Sequence, residues 1–195
     1  MPYIPDGTVA ELPEREWPRP RRRLFKWRRR REQPLFNVPS VHLFGWLSHQ
    51  VSYFSGPTSP RDLEVLERAA LARVWGMRGF HHCRMCPPPG HYGATPYETT
   101  TKAYYLGSAS LIVADVDGNP WVAPNLVLHY VTVHGYVPPT RVYDAPPDLV
   151  ASVLHKGYPD IWPELNKMAF WGNCCGIPGW RLRSTSYKII SCRST

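Results

Sequence analysis

The sequence predicts a small α+β domain closed by one metal ion, on three observations. Cys83 and Cys86 frame a C-x-x-C knuckle, and His129 and His134 follow on a short helix, the donor types and spacing of structural zinc. Residues 108–122 read as a β-hairpin around Asp117-Gly118. Residues 61–75 place Leu63, Leu66, Ala70 and Val74 on one face and Glu64, Glu67 and Arg68 on another, the period of an amphipathic helix. In chain order, knuckle, hairpin and imidazole-bearing helix repeat the ββα logic of a zinc finger. The expected architecture is therefore a small hairpin-plus-helix unit closed by structural zinc, flanked by an amphipathic helix and irregular Pro-rich tails.

The elements follow in order. Residues 1–34 are rich in Pro, Arg and Glu with little periodicity, so they read as a flexible basic arm that buries too little apolar surface to order itself. Residues 35–156 form the globular domain. Val41–Phe54 is apolar and aromatic, a short strand or an irregular wall, and Gly56–Pro60 is a turn. Ser59 is a good N-cap and Pro60 a good first residue for the helix that follows, which Gly76 and Gly79 close. Pro87–Tyr97 is a loop. Ser108–Ala114 alternates small or polar with apolar residues, and Trp121-Val122 begins the return strand. The next helix starts at Pro124, carries Leu126, Val127, Tyr130 and Val131 inward, and stops at Gly135. A further short helix spans Pro147–His155. Residues 157–195 read as an irregular tail that carries Trp162, Trp171, Trp180, Cys174, Cys175 and Cys192 without a repeat.

The net charge of +8 is a local property. Nine basic and no acidic residues lie between Arg19 and Arg31, which leaves 14 basic against 15 acidic elsewhere. Five cysteines, two of them adjacent, do not make a disulfide framework. With no secretory signal visible and no apolar run approaching the roughly 18 residues of a membrane span, the expected location is a reducing cytoplasm.

The metal reading rests on thiols that converge from one tight turn, with the second ligand pair supplied from elsewhere. His129 and His134 are five residues apart, about 140° out of line on an ideal helix, so the last turn has to loosen into Gly135 to bring them together. His81, His82 and His91 lie within reach of the knuckle, with His82 the best substitute ligand. A redox role for the thiols is disfavoured because Pro87-Pro88-Pro89 follows them, where a redox motif opens a helix. No G-x-S-x-G, G-x-x-x-x-G-K or H-E-x-x-H is present. The expected role is a non-enzymatic binding or adaptor protein with a protein partner met through exposed aromatic surface. One alternative is a nucleic-acid-associated protein, in which Arg21, Arg22, Arg23, Lys26, Arg28, Arg29, Arg30 and Arg31 contact nucleic acid or another anionic surface. The helix that follows the hairpin shows Asn125, Tyr130, Thr132 and Val133 on its outer face, a poor base-reading surface. A second alternative is a zinc enzyme with three protein ligands and an open position.

Phe44-Gly45-Trp46-Leu47, His82-Cys83-Arg84-Met85-Cys86, Ala123-Pro124-Asn125-Leu126, His129-Tyr130-Val131 and His134-Gly135-Tyr136-Val137-Pro138-Pro139 together resemble a group of small uncharacterised actinobacterial proteins. That group shares an H-x-C-x-x-C knuckle and an A-P-x-L-x-x-H-Y-V-x-x-H-x-Y-x-P-P segment. The resemblance covers about residues 40 to 140 and implies no activity, but it adds His82 to the ligand candidates.

Overall fold

The computed structural model describes residues 3–14, 37–77, 79–86, 94–99 and 103–159. They form a mixed α+β fold whose centre is the antiparallel pair β5 (Ser110–Ala114) and β6 (Pro120–Pro124). All five residues of β5 are buried. Leu111 and Val113 point into one hydrophobic cluster and Ile112 and Ala114 into another, while Trp121 and Ala123 of β6 oppose Val122 in the same way. Period-two alternation therefore divides apolar residues between two covered faces rather than between core and water. The expected hairpin is present, but it is the middle of a four-stranded sheet ordered β1-β2-β6-β5 and not a free zinc-finger unit. Its turn also differs from the expected two-residue Asp117-Gly118 connection. Gly118 N–H donates to the Asp115 carbonyl at 3.1 Å and Asp115 N–H to Asn119 O at 3.1 Å, giving a three-residue loop over 116–118.

One of the other two strands comes from the segment that sequence composition assigned to the arm. β1 (Thr8–Glu11) pairs antiparallel with β2 (Ser40–Leu43), and β2 runs parallel to β6 with His42 opposite Trp121. Residues 3–14 are thus part of the domain, which corrects the expectation of a flexible arm over 1–34. The reason is that Ile4, Ala10 and Leu12 are buried in the second cluster, and main-chain pairing supplies the order that a short apolar pattern could not. Residues 15–36, with the basic run, lie outside the described residues, as do residues 160–195 of the tail.

α1 (Pro60–Ala72) covers the first face. Ser59 Oγ accepts the Asp62 N–H at 3.1 Å, as a helix cap should, and Val65, Leu66 and Ala70 are buried. The helix ends before the glycines because Arg73 turns left-handed at φ 46°, after which Val74 pairs with Ser110 in an isolated bridge. α2 (Val127–His134) begins later than expected, since Pro124 is the last residue of β6 and pairs with Ser110. α3 (Pro147–His155) lies where the sequence placed it and covers the second face with Leu149 and Val153. β3 (Thr95–Glu98) begins inside the expected Pro87–Tyr97 loop and pairs with β4 (Ala103–Leu106), beyond it, in a separate two-stranded sheet. Tyr97 and Tyr104 pack from it onto the first cluster, and Tyr97 Oη donates to Glu67 of α1 at 2.6 Å.

Gly107 joins this small sheet to the core at φ +94°, where a Cβ would stand 1.9 Å from the carbonyl oxygen of His81. Both the backbone angle and the space require glycine. Gly107→Ala should cost about 3 kcal/mol or more, read as a lower urea midpoint at unchanged m-value. A loss under about 1 kcal/mol would show that the segment around His81 moves aside freely.

Candidate metal centre

The knuckle is delivered by main-chain bonds to the junction between β4 and β5. Met77 N–H donates to Ser108 O at 2.7 Å and His81 N–H to Gly107 O at 2.8 Å, so residues 74–77 and 79–81 run alongside 107–110 and lead into Cys83. Asn125 ties the same junction to the other ligand pair. Its Oδ1 accepts the Gly107 N–H at 2.7 Å and its own N–H donates to Ala109 O at 2.8 Å, immediately before α2. Asn125 is 0% exposed, so each of these bonds forms out of water, where losing one is costly.

Both histidines stand on α2. The Tyr130 carbonyl accepts from Gly135 N–H and from Tyr136 N–H, five and six residues on, where a regular turn would use a donor four residues on. This widened turn, with Gly135 left-handed at φ +63°, removes much of the angular offset that a five-residue spacing imposes. The strand-like wall after β2 fixes it from outside. Tyr53 Oη donates to the His134 carbonyl at 3.3 Å, Gly56 N–H to Gly135 O at 2.8 Å and Val137 N–H to Phe54 O at 3.0 Å.

As a result Cys83, Cys86, His129 and His134 each offer one ligand atom, all within 4.8 Å of one another. Cys83 Sγ lies 3.2 Å from His134 Nε2, and Cys86 Sγ lies 3.3 Å from both His129 Nε2 and His134 Nε2. Ligands on a tetrahedral zinc stand about 3.6 Å apart for an S and N pair, so the cluster is slightly contracted around a common centre. Hydrogen bonding alone accounts for it poorly. His134 Nε2 faces both sulfurs although one ring nitrogen offers a single proton or a single lone pair, whereas four donors around a cation need share no proton. Met85 N–H points at Cys83 Sγ at 3.3 Å, a donor placed to offset thiolate charge. Cys83 and His129 are buried, and Cys86 and His134 are half-buried.

The electrostatics suit a cation. Burial, then the neighbouring Cys83, pushes the Cys86 thiol above its ordinary range, so without a cation the sulfur keeps its proton. Burial and then His134 hold the His129 imidazole down at about 4, and burial alone lowers His134. Neutral imidazoles with free lone pairs are what metal binding requires.

Of the remaining candidates, His81 and His82 are exposed and His82 is not in the cluster, while His91 lies outside the described residues. The Arg21–Arg31 run, Cys174, Cys175 and Cys192 also lie outside them. On α2 and its approach, Asn125 is buried, not outward-facing as expected; Tyr130, which the sequence assigned to both the inner and the outer face, is buried, and only Thr132 and Val133 of that set are exposed. The positioning roles of Asn125 and Gly107 escaped the sequence reading. The one available signal was a carboxamide inside the apolar run Val122–Val127.

A pH dependence follows for the metal-free protein. His129 titrates near 6.5 when unfolded and near 4 when folded, so between those values the unfolded chain binds the extra proton and folding weakens as pH falls. The contribution is complete above about pH 6.5 and lost by about pH 4. Urea midpoints of chelator-treated protein should drop across that window and drop less in His129→Gln. Equal profiles for the two would place the His129 ring in water.

No curated protein and no solved structure matches the chain. A family model does match residues 21–147, more than half of the sequence and a span that holds all four clustered side chains as well as the basic run. The chain therefore belongs to the family described as Domain of unknown function (DUF7919).

Proposed function

We propose that Cys83, Cys86, His129 and His134 bind one structural zinc ion and that the chain is a non-enzymatic binding or adaptor module built around it. The observation that carries this reading is the convergence of two Sγ and two Nε2 atoms, all within 4.8 Å of one another. A mixed thiolate and imidazole set of four favours tetrahedral zinc over calcium, magnesium or manganese, which take oxygen ligands. Four protein ligands leave no position for water, so the ion would supply folding energy and not a nucleophile. The metal would clamp the knuckle, held otherwise by main-chain bonds at Met77 and His81, to α2, closing a 43-residue separation between Cys86 and His129. Apparent binding free energies of about 10–16 kcal/mol for such sites exceed the whole stability of many domains, so the metal-free chain should be loosened around residues 79–86.

Elemental analysis of purified protein should find one zinc per chain; less than about 0.2 would end the proposal. Cobalt substitution should give a thiolate charge-transfer band and the intense visible bands of a tetrahedral site, and a weak six-coordinate spectrum would instead favour an open, three-ligand centre. Cys83→Ser and His134→Ala should each lose the metal on dialysis against a chelator that wild type resists. His82→Ala should keep it, and metal loss there would move the fourth ligand to His82.

A further inference from the structure

The two sulfurs of the cluster are not equivalent. Cys83 is 3% exposed, and its Sγ accepts the N–H of Met85, two residues on, at 3.3 Å. Cys86 is half-buried, and among the described residues no backbone N–H reaches its Sγ, which faces the rings of His129 and His134. The cause lies in the residues that follow. The donor equivalent to Met85 would be residue 88, and residues 87, 88 and 89 are all proline, which has no N–H to give. The prolines that deny the knuckle a helix therefore also deny its second sulfur the nearest main-chain donors.

That difference sets reactivity. A bound cation keeps both sulfurs as thiolates, and the thiolate is the nucleophilic form of cysteine. An N–H aimed at a ligand sulfur takes up part of its charge and so lowers its nucleophilicity. Cys83 is quenched in this way and also covered, whereas Cys86 is open on both counts. A second thiolate stands beside it, since all four ligand atoms lie within 4.8 Å of one another.

We propose that Cys86 is an oxidation site through which a peroxide opens the metal centre. The proposal rests on the zinc reading above and adds a regulation to it. Cys86 Sγ attacks the O–O bond of hydrogen peroxide, keeps one oxygen as a sulfenic acid and releases the other as water. Cys83 Sγ then attacks the Cys86 sulfur and expels the remaining oxygen as a second water. The two sulfurs lose two electrons to the peroxide, two protons come from solvent, and one disulfide forms. Two imidazoles are then left, too few for a four-ligand site, and the knuckle keeps only the main-chain bonds at Met77 and His81. A dithiol reductant reverses the step.

The test uses the full chain carrying Cys174→Ser, Cys175→Ser and Cys192→Ser, with its zinc content measured first. Trypsin cleaves after Arg78, Arg84 and Lys102, so Cys83 and Cys86 fall on separate peptides, 79–84 and 85–102. Under limiting iodoacetamide Cys86 should be alkylated about fivefold faster than Cys83, or more. Stoichiometric hydrogen peroxide should release the zinc to a chromogenic chelator and join the two peptides by a disulfide, and dithiothreitol with added zinc should restore both. Pro88→Ala, which offers an N–H where Cys86 has none, should keep the zinc and slow both reactions about fivefold. Equal alkylation of the two cysteines, unchanged rates in Pro88→Ala, zinc retained after peroxide, or zinc released without the joined peptides would each overturn the proposal and leave the metal reading standing. Protein that holds no zinc before peroxide is added would sink the metal reading, and this switch with it.

Discussion

The antiparallel pair β5–β6 is the constraint from which the positions of all other described elements follow. Because both of its faces are apolar, it cannot exist without a layer on each side. α1 and α2 supply one layer, and α3 with residues 4–12 contributes to the other. The end of the pair away from its turn then places the ligands. At the start of β5, Ser110 pairs with Val74 and with Pro124 and Ser108 holds Met77, so the chain toward the knuckle leaves in a fixed direction. At the end of β6, Asn125 closes back on Gly107 and Ala109 and launches α2. Thiols and imidazoles more than 40 residues apart in sequence meet because both depart from one edge of the same pair.

Asn125 shows why such a junction is energetically decisive. Its Oδ1 and N–H are both paired inside the core, and its Nδ2 has no partner there. A buried donor left alone costs free energy that no surface position would incur. Replacing it would release both the Gly107 turn, which leads to the two thiols, and the start of α2, the helix that carries the two imidazoles.

Local signals were readable in the sequence and non-local ones were not. Ser59-Pro60 with a 3.6-residue apolar stripe specified α1, and Gly135 specified the end of α2, because caps and periodicity act within one or two turns. The C-x-x-C and H-x4-H spacings likewise identified the four clustered side chains, since donor chemistry is carried by residue type. β1 was missed because a four-residue strand in a Pro- and Glu-rich segment owes its existence to pairing with β2, about 32 residues away in register. The two-sided burial of Ser110–Ala114 was also hidden, because small and apolar residues in a row fit a half-exposed strand as well as a central one. Arg73 ends α1 in a left-handed conformation that nothing in its residue type advertises, and the tertiary bridge from Val74 to Ser110 explains it.

The N-terminal segment reaches the end of the molecule that carries the Cys and His cluster from the opposite layer. Asp6 Oδ1 accepts the Gly45 N–H at 3.0 Å. Burial pushes the Asp6 carboxyl up, opposed by Gly45 N–H and by the Tyr136 hydroxyl. Tyr136 in turn follows the widened turn that carries His134, and its N–H completes that turn on Tyr130. The sheet thus sits between two clamps of different chemistry. One is a soft-ligand cluster that a cation can close, and the other is a carboxyl group whose desolvation is offset by the Gly45 N–H beyond β2. The first lies wholly within the family-matched span and the second is shared between that span and residue 6 outside it. A chain that kept the cluster and lost residues 3–14 would retain every candidate ligand and yet leave Val41, Leu43 and Trp46 uncovered on the second face, because metal binding on one layer cannot replace apolar burial on the other.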